Sequence, residues 1–485
     1  MLTKTDLMRY MECPVYLWLA KHRPELIPED TPETERIFAM GREVDDLARD
    51  LFPGGIEVKG YNREGWQNTQ KIIQGPASIL YQPTVVAGDL SCRADILTKS
   101  KGGKGWDLNE VKMATSVKRE YPYDVAFQRI CFENAGIHIA RTNLVHINNQ
   151  YIRQGDIEPK KLFTTEDITD AAYKKTPQTK ESIEKALVVV ERRETPDAEL
   201  LGSCPLPRSC EYIQYYCEGI PEIYSIISAL PPKHLLTLLE RKILDPKKIP
   251  TDILKSVGYK PEEEFTQIDP AGIKKELAQL KYPLYFLDYE TYGLAIPPFD
   301  GTRPYQNIPF QYSLLTQEKK NAPIRETEFL ARTYENSVPA LLAQLKQEVG
   351  PKGSIVVWHA SFEMGCNNEM ARMEPSYVDF LQAVNDRIFD LMLIFKRNRE
   401  LYTKSEFQKS ASLKKILPVL CPELSYESLA IQEGLEASAS WPVLTSDKIP
   451  ESEKAKLAKD MLEYCKRDTY AMVCILERVE KDIKK

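Results

Sequence analysis

The sequence predicts an α/β protein of two or three domains, and three observations carry that expectation. Residues 284–291 read Leu-Tyr-Phe-Leu-Asp-Tyr-Glu-Thr, an apolar strand-like run that ends in two carboxylates with one residue between them. Residues 454–481 place apolar side chains at alternating spacings of four and three, the period of an amphipathic helix. A strand-like segment from Val85 to Leu97, a Gly- and Lys-rich turn from Lys99 to Gly105 and a returning segment Trp106–Lys112 read as a hairpin, with a helix pattern after it. At 485 residues and 42% hydrophobic content, the chain is long enough to bury more than one core.

The N-terminal stretch Met1–Ala20 contains apolar residues but is interrupted by Lys4, Asp6, Arg9 and Glu12, so it lacks the continuous apolar region of a signal peptide. No stretch reaches the length needed to cross a bilayer, and the expected location is the cytoplasm. With 65 basic and 71 acidic residues the chain is mildly acidic, which excludes a generic polyanion binder. Any contact with nucleic acid must come from local basic patches such as Lys99–Lys104, Lys160-Lys161, Lys174-Lys175 and Lys247-Lys248.

Ten cysteines in a reducing compartment point to thiols or metal ligands rather than disulfides. Cys204, Cys210 and Cys217 fall within 14 residues among prolines and short loops that can bend three thiolates around one centre. Cys13, in Glu12-Cys13-Pro14, is the candidate fourth ligand. Spacing alone fits zinc as well as an iron–sulfur cluster. The other cysteines sit in apolar or helical settings and read as small buried hydrophobes.

Two groups of carboxylates carry the chemistry. In the hairpin, Glu110 and Lys112 share a strand face with Trp106 and Leu108, and the return brings Asp95 opposite them. Two acids there would hold a cation on a phosphate, while Lys112 would position water or stabilise developing negative charge. In the later strand, Asp288 and Glu290 point the same way, about 7 Å apart. Burying both costs several kcal/mol unless a cation lies between them. On the C-terminal helix the stripe Leu457, Met461, Tyr464, Asp468, Ala471 and Ile475 puts Asp468 in a core-facing slot, with the Tyr464 hydroxyl one turn earlier on the same face. Residues 221–280, with Pro231-Pro232 and a short helix pattern, read as a helical connector.

Residues 281–485 resemble the DEDD exonucleases, the RNase H-like proofreading type that carries Tyr in its third motif. Asp288, Glu290, Tyr464 and Asp468 match the motifs residue by residue; in Trp358-His359-Ala360-Ser361-Phe362-Glu363 the family's Asp is replaced by Glu363. Ser412-Leu413-Lys414 also fits, and Asp390 is a reserve carboxylate. The resemblance implies two Mg²⁺ or Mn²⁺ ions on the four acids, water oriented by Tyr464, and 3′-to-5′ removal of nucleotides. Residues 1–220 resemble the RecB-like PD-(D/E)xK nucleases, in particular the CRISPR-adaptation relatives. Asp95, Glu110 and Lys112 match the core motif, Gln128 matches the following Gln, and Asp45 in Gly41-Arg42-Glu43-Val44-Asp45 stands where those relatives often carry a metal-binding His. There the resemblance implies a 4Fe–4S cluster on Cys13, Cys204, Cys210 and Cys217. The order of the two parts resembles an uncharacterised bacterial family with this fusion. The expected substrate is DNA, single-stranded first, with RNA as the second choice, in repair or defence and with a protein partner conceivable. The alternative is a binding or partner-dependent subunit with one or both sites degenerate, which the Glu363 and Asp45 departures favour.

Overall fold

A computed structural model of the protein describes residues 1–26, 32–101, 103–194, 248–256, 266–407 and 410–484, together with His234, Thr237, Leu238, Arg241 and Ile243. The chain divides into two compact units, Met1–Tyr151 with Asp156–Pro261, and Ile152–Gly155 with Glu262–Lys485. The division at 261/262 falls inside the stretch read from sequence as a connector. Both units mix helices with mixed sheets, the α/β class expected. Among the described residues no helix is long and apolar enough to cross a membrane.

The first unit contains strands β1 (Leu2–Thr3), β2 (Ile56–Glu57), β3 (Ile79–Tyr81), β4 (Thr84–Ala87), β5 (Leu90–Arg93), β6 (Ile96–Lys99), β7 (Trp106–Lys112), β8 (Ile139–Ile147) and β9 (Phe163–Asp167). Its helices are α1 (Lys4–Glu12), α2 (Pro14–His22), α3 (Pro32–Ala48), α4 (Asn62–Ile73), α5 (Tyr121–Asn134), α6 (Pro159–Leu162), α7 (Thr169–Glu191) and α8 (Thr251–Ser256). Six strands form one sheet in the order β2-β3-β6-β7-β8-β9, with β6 and β7 antiparallel as the hairpin predicts. The central β7 is buried on both faces. Trp106 and Leu108 join the core with Phe127 and Ile130 of α5, while on the opposite face Asp107 accepts from Arg141 at 2.5 Å and Asn109 from Asn143 at 2.8 Å. Helix α1 starts at a reciprocal cap: the Thr3 hydroxyl accepts from the Asp6 amide and the Asp6 carboxylate accepts from the Thr3 amide, which fixes where Lys4 leaves the chain.

The second unit contains β10 (Thr266–Ile268), β11 (Leu284–Tyr292), β12 (Ile308–Gln317), β13 (Ile324–Leu330), β14 (Ser354–Val357), β15 (Ile388–Asp390) and β16 (Tyr402–Lys404). Helices α9 (Pro270–Leu277), α10 (Val338–Glu348), α11 (Ala360–Met373), α12 (Val378–Asn385), α13 (Leu413–Leu420), α14 (Gly434–Leu444) and α15 (Glu451–Asp482) surround it. Five strands run in the order β13-β12-β11-β14-β15, with β11, β14 and β15 parallel and β12 antiparallel to its neighbours. The period of two along β11 sends Tyr285, Leu287 and Tyr289 to a core shared with α10 and α11, and Leu284 and Phe286 to a core shared with α15. Helix α15 uses Met461, Tyr464, Ala471, Ile475 and Val479 for that contact, so strand period and helix period meet on one surface.

Candidate functional site

In the second unit, Asp288 and Glu290 continue the Leu284/Phe286 face of β11, the face that α15 covers. Their cross-strand partners on β12 are Ser313 and Gln311. Both partners reach α15: Ser313 Oγ lies 2.8 Å from Thr469 Oγ1, and Gln311 Nε2 donates to the Met461 carbonyl at 2.9 Å. These two buried contacts set the helix register, and with it they bring Tyr464 and Asp468 onto the carboxylate-bearing end of the strand. Cys465 Sγ, buried on the same turn, donates to Asp288 Oδ2 at 3.5 Å. The Tyr426 hydroxyl donates to Asp468 Oδ1. Glu363 lies in the first turn of α11 and is 3% exposed, and its Oε2 has no hydrogen-bond partner among the described residues.

The electrostatics of this group have one dominant cause, burial, reinforced by mutual repulsion. Burial and then the charges of Asp468, Glu290 and Glu363 hold the Asp288 carboxyl well above the usual range. Glu290 is raised by burial and by Asp468, against the pull of Lys414. Burial, with Asp390 adding to it, pushes Glu363 up to about 8. Asp468 is pushed up to about 6 by burial, opposed by hydrogen bonds from Tyr426 and Tyr464 and by the charge of Lys414. Among the described residues no lysine or arginine forms an ion pair with any of the four acids. Burial first, then Asp468, also raises both phenols, so Tyr426 and Tyr464 remain neutral hydrogen-bonding groups. A set of buried oxygen donors with one orphaned carboxylate oxygen fits a hard divalent cation, which would relieve the repulsion that burial leaves uncompensated. A Cβ built at Gly434 would lie 3.7 Å from Glu290 Oε2 and 3.8 Å from the Tyr464 hydroxyl, so the start of α14 borders this group. Asp390 does a different job: it accepts from the Ala360 and Met392 amides at 3.3 and 3.1 Å and caps two helical starts.

In the first unit the structure brings together Asp95, Glu110, Lys112 and Gln128. Asp95 immediately precedes β6, whose Ile96 pairs with Asn109 of β7, and Asp95 Oδ2 accepts from the Val111 amide at 2.8 Å. Gln128 Nε2 donates to Glu110 Oε2 at 2.7 Å, and Lys112 Nζ to Glu110 Oε1 at 2.8 Å. Two further members were not singled out from sequence. Lys4 Nζ reaches Glu110 Oε1 at 2.6 Å, and Asp124 accepts from Lys112 at 2.6 Å and from Gln128 at 2.9 Å. Burial would raise Glu110, but Lys112 and Lys4 reverse it and hold the carboxyl below its ordinary range; Asp95 is raised by burial and by the charge of Glu110. Asp45 on α3 is pushed up to about 6 by burial and then by Glu110. Asp95 and Asp45, both raised beside Glu110, suit a cation, yet the Glu110 oxygens already accept from two ammonium groups and an amide.

Cys204, Cys210 and Cys217 lie outside the described residues. Cys13 is buried at the junction of α1 and α2, where its amide donates to the Arg9 carbonyl at 2.8 Å. Lys4, Asp124 and Tyr426 gave no local sequence signal, since each meets its centre only through tertiary packing. Cys465 carried a weak one, standing next to Tyr464 on the core-facing side of the helix.

Residues 285–412 match the family model described as "Domain of unknown function (DUF2779)". That span contains Asp288, Glu290, Glu363 and Asp390 and ends before Tyr464 and Asp468. The chain is 25% identical over 212 residues to "Uncharacterized protein MG366 homolog" of Mycoplasma pneumoniae, covering 41% of this chain and 32% of that protein. It is 24% identical over 222 residues to "Uncharacterized protein MG366" of Mycoplasma genitalium, covering 43% and 33%. A third relative, "Uncharacterized protein UU173" of Ureaplasma parvum, is 24% identical over 223 residues, covering 42% and 32%. The match thus spans about a third of the length of these relatives.

Proposed function

We propose that the protein is a divalent-metal-dependent nuclease whose second unit is a DEDD-type exonuclease with an RNase H-like fold. The carrying observation is the convergence of Asp288, Glu290, Glu363 and Asp468, four raised carboxyls with no basic ion-pair partner among the described residues, around a tyrosine. The sheet order β13-β12-β11-β14-β15, with the acid-bearing strand central, supports the RNase H-like reading. Asp288, Glu290, Glu363 and Asp468 would hold Mg²⁺ or Mn²⁺, which when bound supplies Lewis acidity at a phosphodiester and lowers the pKa of water. Tyr464, kept as a neutral phenol, orients the attacking water by hydrogen bonding and does not act as its base. Tyr426 holds Asp468 from the other side. The substrate is DNA, single-stranded in preference, with RNA second, degraded from the 3′ end.

In the first unit, Asp95, Glu110 and Lys112 form a RecB-like PD-(D/E)xK centre supported by Gln128 and Asp45, with Cys13, Cys204, Cys210 and Cys217 holding a 4Fe–4S cluster. That cluster rests on sequence pattern alone. For this centre a second reading, nucleic-acid binding without hydrolysis, is favoured by Lys4, whose ammonium group shares Glu110 Oε1 with Lys112 at 2.6 and 2.8 Å.

The test is a time course on end-labelled single-stranded DNA and RNA with Mn²⁺, comparing wild type with Asp288→Ala and Lys112→Ala. Stepwise shortening that Asp288→Ala reduces at least about a hundredfold is expected. Undiminished digestion by Asp288→Ala would overturn the assignment of the second unit.

A further inference from the structure

Beside the carboxylates of β11 stands a group that metal-assisted phosphoryl chemistry does not require, the thiol of Cys465. It is fully buried, and its Sγ lies 3.5 Å from Asp288 Oδ2. One ligand atom from each of Asp288, Glu290 and Cys465 lies within 4.8 Å of the other two. An ion held at about 2.1 Å from an oxygen and about 2.3 Å from a sulfur, at a tetrahedral angle, separates the two donors by about 3.6 Å. The Asp288 to Cys465 separation is therefore that of two ligands already spaced for one ion. Glu363 adds an independent observation. It is 3% exposed, its Oε2 is unpartnered among the described residues, and its charge acts on Asp288. A buried thiol that only needed a hydrogen-bond acceptor would find a backbone carbonyl sufficient, and the Asp288 carbonyl is already 3.8 Å away.

We infer that Asp288, Glu290 and Cys465 form a mixed oxygen and sulfur site for a thiophilic divalent ion, Zn²⁺ being the biological representative. The inference rests on the reading of this centre as a divalent-metal site and deepens it by naming a second class of ion. When such an ion binds, the S–H bond breaks, one proton leaves to solvent and a metal–sulfur bond forms, with no change of oxidation state. Hard ions such as Mg²⁺ use the oxygens and leave the thiol protonated. Zn²⁺ therefore competes with Mg²⁺ and Mn²⁺ for shared carboxylates and gives the centre an inhibitory state.

The experiment uses the full chain with its divalent ions removed and any iron–sulfur cluster retained, read as cobalt difference spectra. Co²⁺ is titrated as a spectroscopic substitute for Zn²⁺ into wild type, Cys465→Ser and Cys465→Ala, and Mn²⁺ binding is followed by electron paramagnetic resonance in the same three proteins. Wild type is expected to develop a thiolate-to-cobalt band in the near ultraviolet that exceeds that of either variant by one thiolate. Both variants are expected to lose at least about tenfold in Zn²⁺ affinity, with Mn²⁺ affinity changed by less than about threefold. A wild-type spectrum without that excess band, with Mn²⁺ binding retained, overturns the thiolate ligand and leaves the proposed function standing. Absence of Mn²⁺ binding in wild type overturns both. Should either substitution impair folding, absence of any thiolate band in wild type alone still decides against the inference.

Discussion

Glu363 shows how one side chain can weaken the fold while building the site. Its carboxyl is buried and its Oε2 is unpartnered among the described residues, so in the absence of a cation the desolvation of its ionised form is only partly offset, by a backbone hydrogen bond. A group raised to about 8 in the folded protein binds more protons folded than unfolded across the interval that begins near its unfolded value of 4.5. Stability of the metal-free protein contributed by this group therefore falls as pH rises from about 4.5 to about 8, and Asp468, raised to about 6, adds to the lower part of that window. A bound cation reverses the sign, because it takes the ionised form. Glu363→Gln is accordingly expected to raise the melting temperature in chelator at pH about 8, to flatten its pH dependence, and to weaken Mn²⁺ binding by about 10- to 100-fold. Thermal melts at a series of pH values and a Mn²⁺ titration check the three together. A variant that melts lower than wild type in chelator at pH about 8 would mean that Glu363 is stabilised by a partner and not by a cation.

The strand β11 and the helix α15 were legible in the sequence because each announces itself by a local period. Leu284 to Glu290 alternates between faces, and Met461, Tyr464, Asp468, Ala471 and Ile475 repeat at helical spacing; the structure runs β11 over Leu284–Tyr292 and α15 over Glu451–Asp482. What periodicity cannot give is which element lies over which, and there the sequence was silent. Lys4 is 106 residues from Glu110, and Tyr426 is 42 from Asp468. Neither pairing has a spacing signature, since both depend on where separate elements dock. Ser313 and Gln311 were also unmarked, two of several polar residues in β12. Their contacts to Thr469 and Met461 couple the register of β12 to that of α15. Gln311 is fully buried, so Gln311→Met removes its bond to the Met461 carbonyl at little change in volume and is expected to cost about 1–2 kcal/mol. Because that bond seats the turn bearing Tyr464 and Asp468, Mn²⁺ affinity should drop severalfold as well. Urea denaturation and Mn²⁺ titration of the same preparation separate the two effects; lost stability with unchanged affinity would mean that the helix holds its register by apolar packing alone.

At the scale of the whole molecule, the two acidic centres belong to different compact units, and each unit has its own sheet and core. The centres also differ in character. The four acids of the second unit have no basic ion-pair partner among the described residues, whereas Glu110 in the first is held by Lys4 and Lys112. Cation binding should therefore stabilise the two units unequally. An ion that binds only the folded form adds RT ln(1 + [L]/Kd), about 2.7 kcal/mol at a hundredfold excess over Kd. That gain is expected in the transition of the second unit, where the ion relieves repulsion, and to be smaller in the first, where it must displace an ammonium group. Asp288→Ala should abolish the larger shift and leave the smaller one. Lys4→Met should enlarge the smaller shift, since Glu110 then keeps Lys112 as its one ammonium partner. Calorimetric scans with and without Mn²⁺ on wild type and both variants read each unit by its own transition. For sites that share no partner, the free-energy changes of Asp288→Ala and Lys4→Met should add in the double variant to within about 0.5 kcal/mol. A larger deviation would show that the two centres are energetically coupled.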